Sequence, residues 1–211
     1  MVKAVLFDLD GTLLDTNDLI YDSFCTAFKE VLNMELPKEE ITLLYGKPLK
    51  TSLTKYTDDE KLLECLVSTY RSYNVKHHDD MCKPFEGVKE LLISLKDKGI
   101  KLGIVTSKRK ELAIKGLELG KIMDYMNVIV SPEDTIKHKP EGEPVLKACE
   151  ILNISPKEAI MVGDSPYDLL SGKAAGCFTC GVEYTALELK ELAKVEPSYM
   201  IKNPLEILEL I

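Results

Sequence analysis

Short apolar runs recur along the chain, and amphipathic helical patterns lie between them. Several runs are rich in Val, Ile and Leu at consecutive positions, which is typical of strands that helices cover on both faces of a parallel sheet. Val88, Leu91 and Leu95 follow helical spacing. Gly99 then marks the end of that helix. The alternation predicts an α/β fold with an open, mainly parallel sheet. The apolar runs are residues 2–7, 100–105, 128–130, 159–162 and 177–182.

One long segment interrupts this alternation. Residues 16–82 contain no convincing strand pattern, but they hold two amphipathic helical patterns, one around Phe24 and one around Leu66. This arrangement predicts a helical insertion directly after the first strand. We therefore expect a core made of residues 1–15 and 83–211, with residues 16–82 as a separate helical domain.

The composition narrows the function classes. The chain has 211 residues, of which 45% are hydrophobic and 29% charged, as is ordinary for a globular protein. Its net charge of −8 disfavours binding to a phosphate backbone, so no nucleic-acid partner is expected. No apolar run is long enough for a membrane span, and the first residues lack the pattern of a signal peptide. The six scattered cysteines are expected to be reduced thiols of a cytoplasmic protein.

Two acidic residues follow the first apolar run, in the sequence FDLDGT. Asp8 and Asp10 are two positions apart at the end of a predicted strand, so their side chains share a face. Paired carboxylates are costly unless a cation lies between them. Gly11 permits a tight turn or a close approach to a ligand, and Thr12 offers a hydroxyl and a backbone N–H. Ligands of open α/β sheets bind beyond the carboxyl ends of the strands, where this segment falls.

Two further segments carry residues that can bind an anion. Thr106, Ser107 and Lys108 follow the second apolar run. Hydroxyls and free N–H groups at a junction between strand and helix can hold a phosphate oxygen. Lys139 lies in a proline-containing loop before a predicted helix. Taken alone, the Thr-Ser pair is more typical of a helix cap and Lys139 of an exposed lysine, so the interpretation depends on the combination.

A last acidic segment follows the fourth apolar run. Pro166 suits the first turn of a helix, and a helix that begins there puts Asp164 and Asp168 on one face. The hard oxygen ligands of Asp8, Asp10 and Asp164 suit Mg²⁺. No His or Cys neighbours these acids in the sequence, which disfavours zinc.

The four motifs, in this order and at these distances, resemble those of the haloacid dehalogenase superfamily of phosphohydrolases over nearly the whole chain. The resemblance implies a Rossmann-like core, a helical cap inserted after the first strand, and Mg²⁺ as cofactor. It implies that Asp8 is the nucleophile that forms an aspartyl-phosphate and that Asp10 is the general acid–base. Thr106 and Lys139 are implied to bind the transferring phosphoryl oxygens. The implied metal-binding residues are Asp8, Asp10 (also through its carbonyl), Asp164 and Asp168, the last supporting the metal shell or the lysine; the further substrate-binding residues are Gly11, Thr12, Ser107 and Lys108.

Differences from the motifs of individual subfamilies indicate which subfamily the chain resembles most. A second aspartate in the first motif argues against the dehalogenases themselves. Ile20 and Leu49 stand where β-phosphoglucomutases carry a histidine and an arginine. The loops at residues 46–48 and 106–108 resemble those of phosphoglycolate phosphatases. Residues 69–81 resemble more closely a stretch of the bacterial pyrophosphatases linked to HPr kinase/phosphorylase, although Gly142 and Ser165 depart from that family's usual proline and asparagine.

The cap is also expected to contribute to substrate binding. Gly46 and Lys47 lie in the loop that resembles the corresponding loop of phosphoglycolate phosphatases. Arg71, His77 and His78 could supply positive charge near a second phosphate, whose negative charge requires partners. The alternative, in which Arg71 is a surface residue and the pair His77 and His78 ends a helix, stays open.

We therefore expect an Mg²⁺-dependent phosphohydrolase that acts on a small phosphorylated compound, with inorganic pyrophosphate as the favoured substrate. The alternative substrate is phosphoglycolate or another small phosphomonoester. A receiver domain, which stores a phosphoryl group as a signal, is the alternative from another class. The helical insertion and the spacing of Asp8 and Asp10 argue against a receiver domain. The sequence leaves the oligomeric state open.

Overall fold

The computed structural model describes residues 1–211 and contains a six-stranded sheet in which every neighbouring pair is parallel. The strands are β1 (Ala4–Phe7), β2 (Leu14–Asp15), β3 (Lys83–Pro84), β4 (Lys101–Val105), β5 (Val128–Val130), β6 (Ala159–Gly163), β7 (Phe178–Val182) and β8 (Tyr199–Ile201). The order in the large sheet is β5-β4-β1-β6-β7-β8, so β1 lies at its centre. The predicted α/β class with a mainly parallel sheet is confirmed.

Nine α-helices accompany the strands. They are α1 (Asn17–Leu32), α2 (Lys38–Thr42), α3 (Leu49–Leu53), α4 (Glu60–His77), α5 (Val88–Asp97), α6 (Lys110–Leu119), α7 (Glu143–Leu152), α8 (Pro166–Ala175) and α9 (Leu189–Ala193). None of these helices combines the length and the apolar character needed to cross a membrane.

The central strand shows why the sheet needs helices on both sides. Val5 and Phe7 point into an apolar cluster of 21 buried residues, whereas Ala4 and Leu6 point into a second cluster of 13. Successive side chains of a strand alternate between faces, so an apolar run of this kind buries both faces at once. Burial of this apolar surface on two sides fixes the position of the end of β1, where the candidate site begins.

The helices α1 to α4 pack around an apolar cluster of their own. Nine buried residues, among them Phe24, Phe28 and Leu66, form this cluster. The ribbon of β2 and β3 pairs Leu14 with Pro84 in antiparallel register, so the chain leaves and re-enters the core side by side. We call residues 16–82 the cap. Its division from the core stays a prediction, to which the separate cluster and the ribbon lend support.

Three strands are missing from the sequence prediction. The strands β2 and β3 have two residues each and β8 has three, and such lengths give too few positions for an apolar alternation to be read. Their position depends on pairing with distant segments, as when β8 extends the sheet beside β7.

Candidate active site

The candidate site lies where the carboxyl ends of three neighbouring strands meet. Phe7 of β1 pairs with Ile104 of β4 and with Val162 of β6. Asp8 and Thr106 therefore leave the sheet side by side. On the other flank of β1, Asp164 follows β6. The parallel register explains why residues far apart in the sequence share one edge.

Lys139 joins two carboxylates at this edge. Its Nζ donates hydrogen bonds to Asp8 Oδ1 at 2.7 Å and to Asp168 Oδ1 at 2.5 Å. A third bond goes to the carbonyl oxygen of Val105 at 3.0 Å. The Lys139 residue is only 4% exposed, so its ammonium is held by protein groups rather than by bulk water. The lysine that the sequence places in a loop thus belongs to the centre of the site.

Asp168 is fully engaged by neighbouring groups. While Oδ1 accepts from Lys139, Oδ2 accepts from the Ser165 hydroxyl at 2.6 Å and from the Ser165 N–H at 3.0 Å. This is a capping box at the start of α8, with Pro166 in its first turn. The arrangement makes Asp168 a residue that positions the lysine and starts the helix. No role of Ser165 is predicted from the sequence, although the spacing S-x-x-D at 165–168 is a recognisable capping signal.

Asp164 lies close to the other two acids. One oxygen atom each of Asp8, Asp164 and Asp168 falls within 4.8 Å of the others. The Thr12 hydroxyl donates to Asp164 Oδ1 at 3.4 Å. Gly11 has φ +79, and a Cβ placed on it would lie 2.3 Å from Asp164 Oδ2. Only glycine allows the backbone to approach the carboxylate this closely.

Burial shapes the acid–base properties of Asp8, Asp164 and Lys139. Loss of solvation raises the pKa of Asp8 to about 7, and although Lys139 opposes this shift, the charges of Asp168 and Asp10 add to it. Burial likewise raises the pKa of Asp164 well above its ordinary value, with the charges of Asp168 and Asp8 contributing. Burial disfavours the ammonium of Lys139, but the charges of Asp168 and Asp8 outweigh this penalty and raise its pKa.

The charge balance of the cluster fits a divalent cation. One ammonium, that of Lys139, faces the three buried carboxylates of Asp8, Asp164 and Asp168. When all three are ionised, two negative charges lack a partner, and buried charges of one sign require compensation. Carboxylate oxygens are ligands that hard divalent cations prefer. Asp8 Oδ2 accepts no hydrogen bond from the protein, so this oxygen is available to a cation or a substrate.

Asp10 lies beside the cluster and is held by two side chains. The Lys108 ammonium donates to Asp10 Oδ1 at 2.9 Å and to Oδ2 at 3.2 Å. The Thr16 hydroxyl donates to Asp10 Oδ1 at 2.8 Å. The Thr106 hydroxyl accepts from the Lys108 N–H at 3.1 Å, which ties the backbone of Lys108 to the end of β4. This contact of Thr16 is not predicted from the sequence.

The cap loop reaches the same edge of the sheet. The carbonyl oxygen of Gly46 accepts from the Ser107 hydroxyl at 3.2 Å. Gly46 has φ +75, and a Cβ on it would lie 2.4 Å from the Ser165 hydroxyl oxygen. The ammonium of Lys47 lies 5.6 Å from the centre of the Tyr167 ring. The structure thus brings the predicted residues Gly46, Lys47 and Ser107 together over the strand ends.

Two predicted cap residues are not brought to the carboxylates. Arg71 is exposed and lines a surface groove on α4 with residues such as Lys50 and Glu64. The His77 ring packs against the Tyr73 ring, with 4.3 Å between their centres. The neighbouring histidine, His78, is the buried one, because its ring packs beside Gly116 of α6. This arrangement matches the alternative in which Arg71 is a surface residue.

Two further contacts come from the loop after β7. The Tyr184 hydroxyl donates to the carbonyl oxygen of Thr12 at 3.2 Å, and the Thr185 hydroxyl donates to that of Asp164 at 2.8 Å. These bonds fix the backbone on both sides of the acidic cluster. No local pattern in the sequence marks either residue, because their role depends on a loop that packs against two distant segments.

Comparison with known proteins agrees with this geometry. The family model of the haloacid dehalogenase-like hydrolases matches residues 5–182. A protein of Clostridium perfringens (strain 13 / Type A), named provisionally as the pyrophosphatase PpaX, is 54% identical over 211 residues, which cover 100% of this chain and 98% of that protein. The pyrophosphatase PpaX of Halalkalibacterium halodurans is 38% identical over 210 residues, which cover 100% of this chain and 97% of that protein. A solved structure of a predicted phosphatase from Clostridium acetobutylicum is 31% identical, with a TM-score of 0.85 and 99% of each chain covered.

The resemblance stated from the motifs is therefore confirmed. Hydrolases of this family typically use a divalent metal, and the cluster of Asp8, Asp164 and Asp168 could hold one. A receiver-like signalling module, the alternative of another class, is not supported by these matches. The chain belongs to the haloacid dehalogenase-like hydrolases and is a phosphatase of that family.

Proposed function

We propose that this phosphatase hydrolyses inorganic pyrophosphate with Mg²⁺ and forms an aspartyl-phosphate on Asp8. The observation that carries the proposal is the contact of the Lys108 ammonium with Asp10. Asp10 is the residue expected to protonate the departing oxygen, so a cation beside it lies where the leaving group separates. A departing phosphate carries more negative charge than a departing alcohol and needs such a partner.

The first step uses Asp8 and the groups around it. Oδ1 of Asp8 is held by Lys139, which leaves Oδ2 free to attack phosphorus. The bond between Oδ2 and phosphorus forms while the bond from phosphorus to the bridging oxygen breaks, and Asp10 gives its proton to that oxygen. Lys139 and Thr106 would stabilise the negative charge on the transferring oxygens.

The second step returns the enzyme to its starting state. Water attacks the aspartyl-phosphate, Asp10 takes a proton from that water, and the carboxylate of Asp8 is released with inorganic phosphate. Asp8, Asp164 and the carbonyl of Asp10 would hold a Mg²⁺ ion. When bound, the ion supplies positive charge that offsets the repulsion between carboxylate and phosphate. Asp168 would support this arrangement through Lys139.

Pyrophosphate is preferred to phosphoglycolate because two relatives that match the whole chain carry the name pyrophosphatase PpaX. The cap loop contacts Ser107 and Ser165 closely, which favours a small substrate, such as either of these two compounds, over a bulky ester. Phosphoglycolate has a leaving group with a carboxylate and would also satisfy Lys108, so it is the alternative that the experiment must separate.

The test is a steady-state assay of phosphate release with Mg²⁺, using pyrophosphate, phosphoglycolate and p-nitrophenyl phosphate. We expect kcat/KM for pyrophosphate to exceed that for the other two by at least about tenfold, or roughly 1.4 kcal/mol of transition-state stabilisation. Asp8→Asn is the matched control, because it keeps the size of the side chain and removes the nucleophile. Faster turnover of phosphoglycolate than of pyrophosphate would contradict the proposed substrate.

We further propose a cytoplasmic location. All six cysteines are free thiols, and Cys82, Cys149, Cys177 and Cys180 among them are buried. Free thiols in this number are typical of proteins in reducing compartments. Fractionation of cells that produce a tagged full-length chain tests this, and recovery outside the cytoplasmic fraction would contradict it.

A further inference from the structure

A small cavity lies beside two residues that are proposed to bind the transferring phosphoryl group. Its volume is about 10 Å³, and Thr106 and Lys139 are among the residues that line it. Thr135 and His138, from the loop between β5 and α7, line it as well, and Pro48 of the cap forms part of its wall. This volume is close to the roughly 10–15 Å³ that one water molecule requires, and it is too small for a phosphate group.

Two of the residues that line the cavity each hold a buried polar atom without a hydrogen-bond partner. These atoms are Thr135 Oγ1 and His138 Nδ1. Buried polar atoms in proteins nearly always have a partner in the chain or in ordered water, because an unpaired one loses its solvation without compensation. Since both residues line the same cavity, a single bound group can satisfy both atoms.

The loop that carries these two atoms is held in place by other hydrogen bonds. The N–H groups of residues 136–137 donate to the Glu143 carboxylate at 2.9 Å and 3.0 Å. At the start of the loop, the Asp134 carboxylate accepts from the N–H of Ser131 at 2.9 Å. Because these bonds fix the backbone on both sides of Thr135, its hydroxyl is held at the cavity.

The hydroxyl of Thr106 has room for one more hydrogen bond on this side. Its oxygen accepts from the Lys108 N–H at 3.1 Å, and no other protein group donates to it. A hydroxyl oxygen can accept two hydrogen bonds and donate one. The preceding carbonyl, that of Val105, accepts from Lys139 at 3.0 Å, which fixes the backbone next to Thr106. The second acceptor position of the Thr106 hydroxyl is therefore available to a group in the cavity.

We infer that the cavity binds one ordered water molecule, which makes Thr135 and His138 positioning residues for Thr106. The water is hydrogen-bonded to Thr135 Oγ1 and His138 Nδ1, and it donates a hydrogen bond to Thr106 Oγ1. Water both donates and accepts, so it fits either tautomer of the imidazole. With both acceptor positions of Thr106 occupied, its own hydrogen is directed to the phosphoryl oxygen. The inference rests on the proposed role of Thr106 in binding that oxygen.

The first test is a high-resolution crystal structure of the full chain. We expect electron density for a water molecule within about 3.2 Å of Thr135 Oγ1, His138 Nδ1 and Thr106 Oγ1. The water should be absent from Thr135→Val and present in Thr135→Ser, which keeps the hydroxyl. A wild-type cavity without water density, or a water that does not contact Thr106, would overturn the inference.

The second test measures how tightly each variant binds orthovanadate, an anion with the tetrahedral shape of phosphate, as an inhibitor of p-nitrophenyl phosphate hydrolysis. We expect the inhibition constant to rise about three- to tenfold in Thr135→Val and in His138→Leu, the range of one neutral hydrogen bond. Thr135→Ser and His138→Asn, whose amide can replace Nδ1, should stay close to wild type. Ile136→Ala is the control, because Ile136 lies in the same loop and is 90% exposed.

A merely structural role of the two residues would give a different result. A Tm that falls in Thr135→Val and His138→Leu while the inhibition constants stay at the wild-type value would overturn the inference, as would unchanged constants alone. If His138→Leu fails to fold, the inhibition constant of Thr135→Val decides.

A double variant shows whether the two residues act through one water. Thr135→Val combined with His138→Leu should bind orthovanadate at most about twofold more weakly than the more affected single variant, because either substitution already removes the water. Losses that multiply in the double variant would overturn the inference.

Orthovanadate also separates this inference from the proposed substrate, because it resembles the transferring group and has no leaving group. If wild type hydrolyses phosphoglycolate rather than pyrophosphate, the proposed substrate is wrong, yet the comparison of variants with orthovanadate still decides the role of Thr135 and His138. If Thr106→Val binds orthovanadate as tightly as wild type, the proposed role of Thr106 and this inference are both wrong.

Discussion

The Lys108 ammonium bridges both carboxylate oxygens of Asp10, at 2.9 Å and 3.2 Å. We propose that a lysine in this position restrains Asp10, the proposed general acid–base, until an anion competes for the ammonium. Both side chains are largely enclosed, at 8% and 18% exposure, so their attraction is screened less than that of a surface pair. On this proposal, the charge of the substrate determines whether Asp10 is available to transfer a proton.

Replacing Lys108 with methionine should impair pyrophosphate hydrolysis selectively. The departing phosphate loses its cation, and we expect kcat/KM to fall about 10²-fold, the cost typical of one lost charged donor in a transition state. Hydrolysis of p-nitrophenyl phosphate should fall much less, because its leaving group is stable without a cation. Lys110→Met, which removes the surface pair with Asp134, is the control. Equal losses on the two substrates would contradict this role of Lys108.

Asp10→Asn should lower activity most on substrates whose leaving group must be protonated as it departs. General acid catalysis contributes typically about 10²–10⁴-fold, so a phosphate ester with a poor leaving group should lose activity in that range. Because p-nitrophenolate leaves without protonation, the loss on p-nitrophenyl phosphate should be smaller in the first step. Kinetics on a series of aryl phosphates measure this dependence. A loss that is constant across the series would show that Asp10 is not the acid.

Gly11→Ala should weaken metal binding as well as folding. A Cβ on Gly11 would lie 2.3 Å from Asp164 Oδ2, which forces the carboxylate to move. Gly99→Ala is a matched control, since Gly99 has φ +75 and no atom within 4 Å of its Cβ position. Both variants pay the left-handed backbone cost of about 1–2 kcal/mol. Only Gly11→Ala should also raise the Mg²⁺ concentration needed for half-maximal activity, and equal Mg²⁺ requirements in the two variants would contradict the expectation.

The stability of the metal-free protein should depend on pH through Asp8. Burial raises the pKa of Asp8 to about 7 from an ordinary value of 3.8, so the folded state holds a proton that the unfolded chain has lost between these pH values. The free energy of unfolding should therefore decrease as pH rises through this window. The raised pKa of Asp164 acts in the same direction.

Thermal unfolding with a chelator, at about pH 5 and about pH 8, measures this effect. The Tm of wild type should fall more between the two values than the Tm of Asp8→Asn, which lacks the titrating group. Saturating Mg²⁺ should reduce the difference, because a divalent cation compensates the ionised carboxylates. An equal change of Tm between the two pH values in wild type and in Asp8→Asn would show that Asp8 does not titrate in this range.

Some site residues can be predicted from the sequence around them, whereas others depend on contacts with distant segments of the chain. Asp8, Asp10 and Asp164 could be found from the sequence because each follows an apolar run, and the ends of parallel strands meet. Lys139 needed the family resemblance, since a lysine in a loop has no local sign of burial. The helix α4 illustrates the limit. Its periodicity predicts a helix, but only packing against α6 determines that His78, rather than Arg71, faces the core.

The most direct test of the account is to trap the phosphorylated enzyme. Wild-type protein with Mg²⁺ is mixed with radiolabelled pyrophosphate, quenched with acid within the first turnover, reduced with borohydride and digested for mass spectrometry. We predict that the label is bound covalently before reduction and that Asp8 is converted to homoserine. No conversion should occur in a sample without substrate. Turnover of substrate with no covalent label, or with label on a residue other than Asp8, would contradict the central claim.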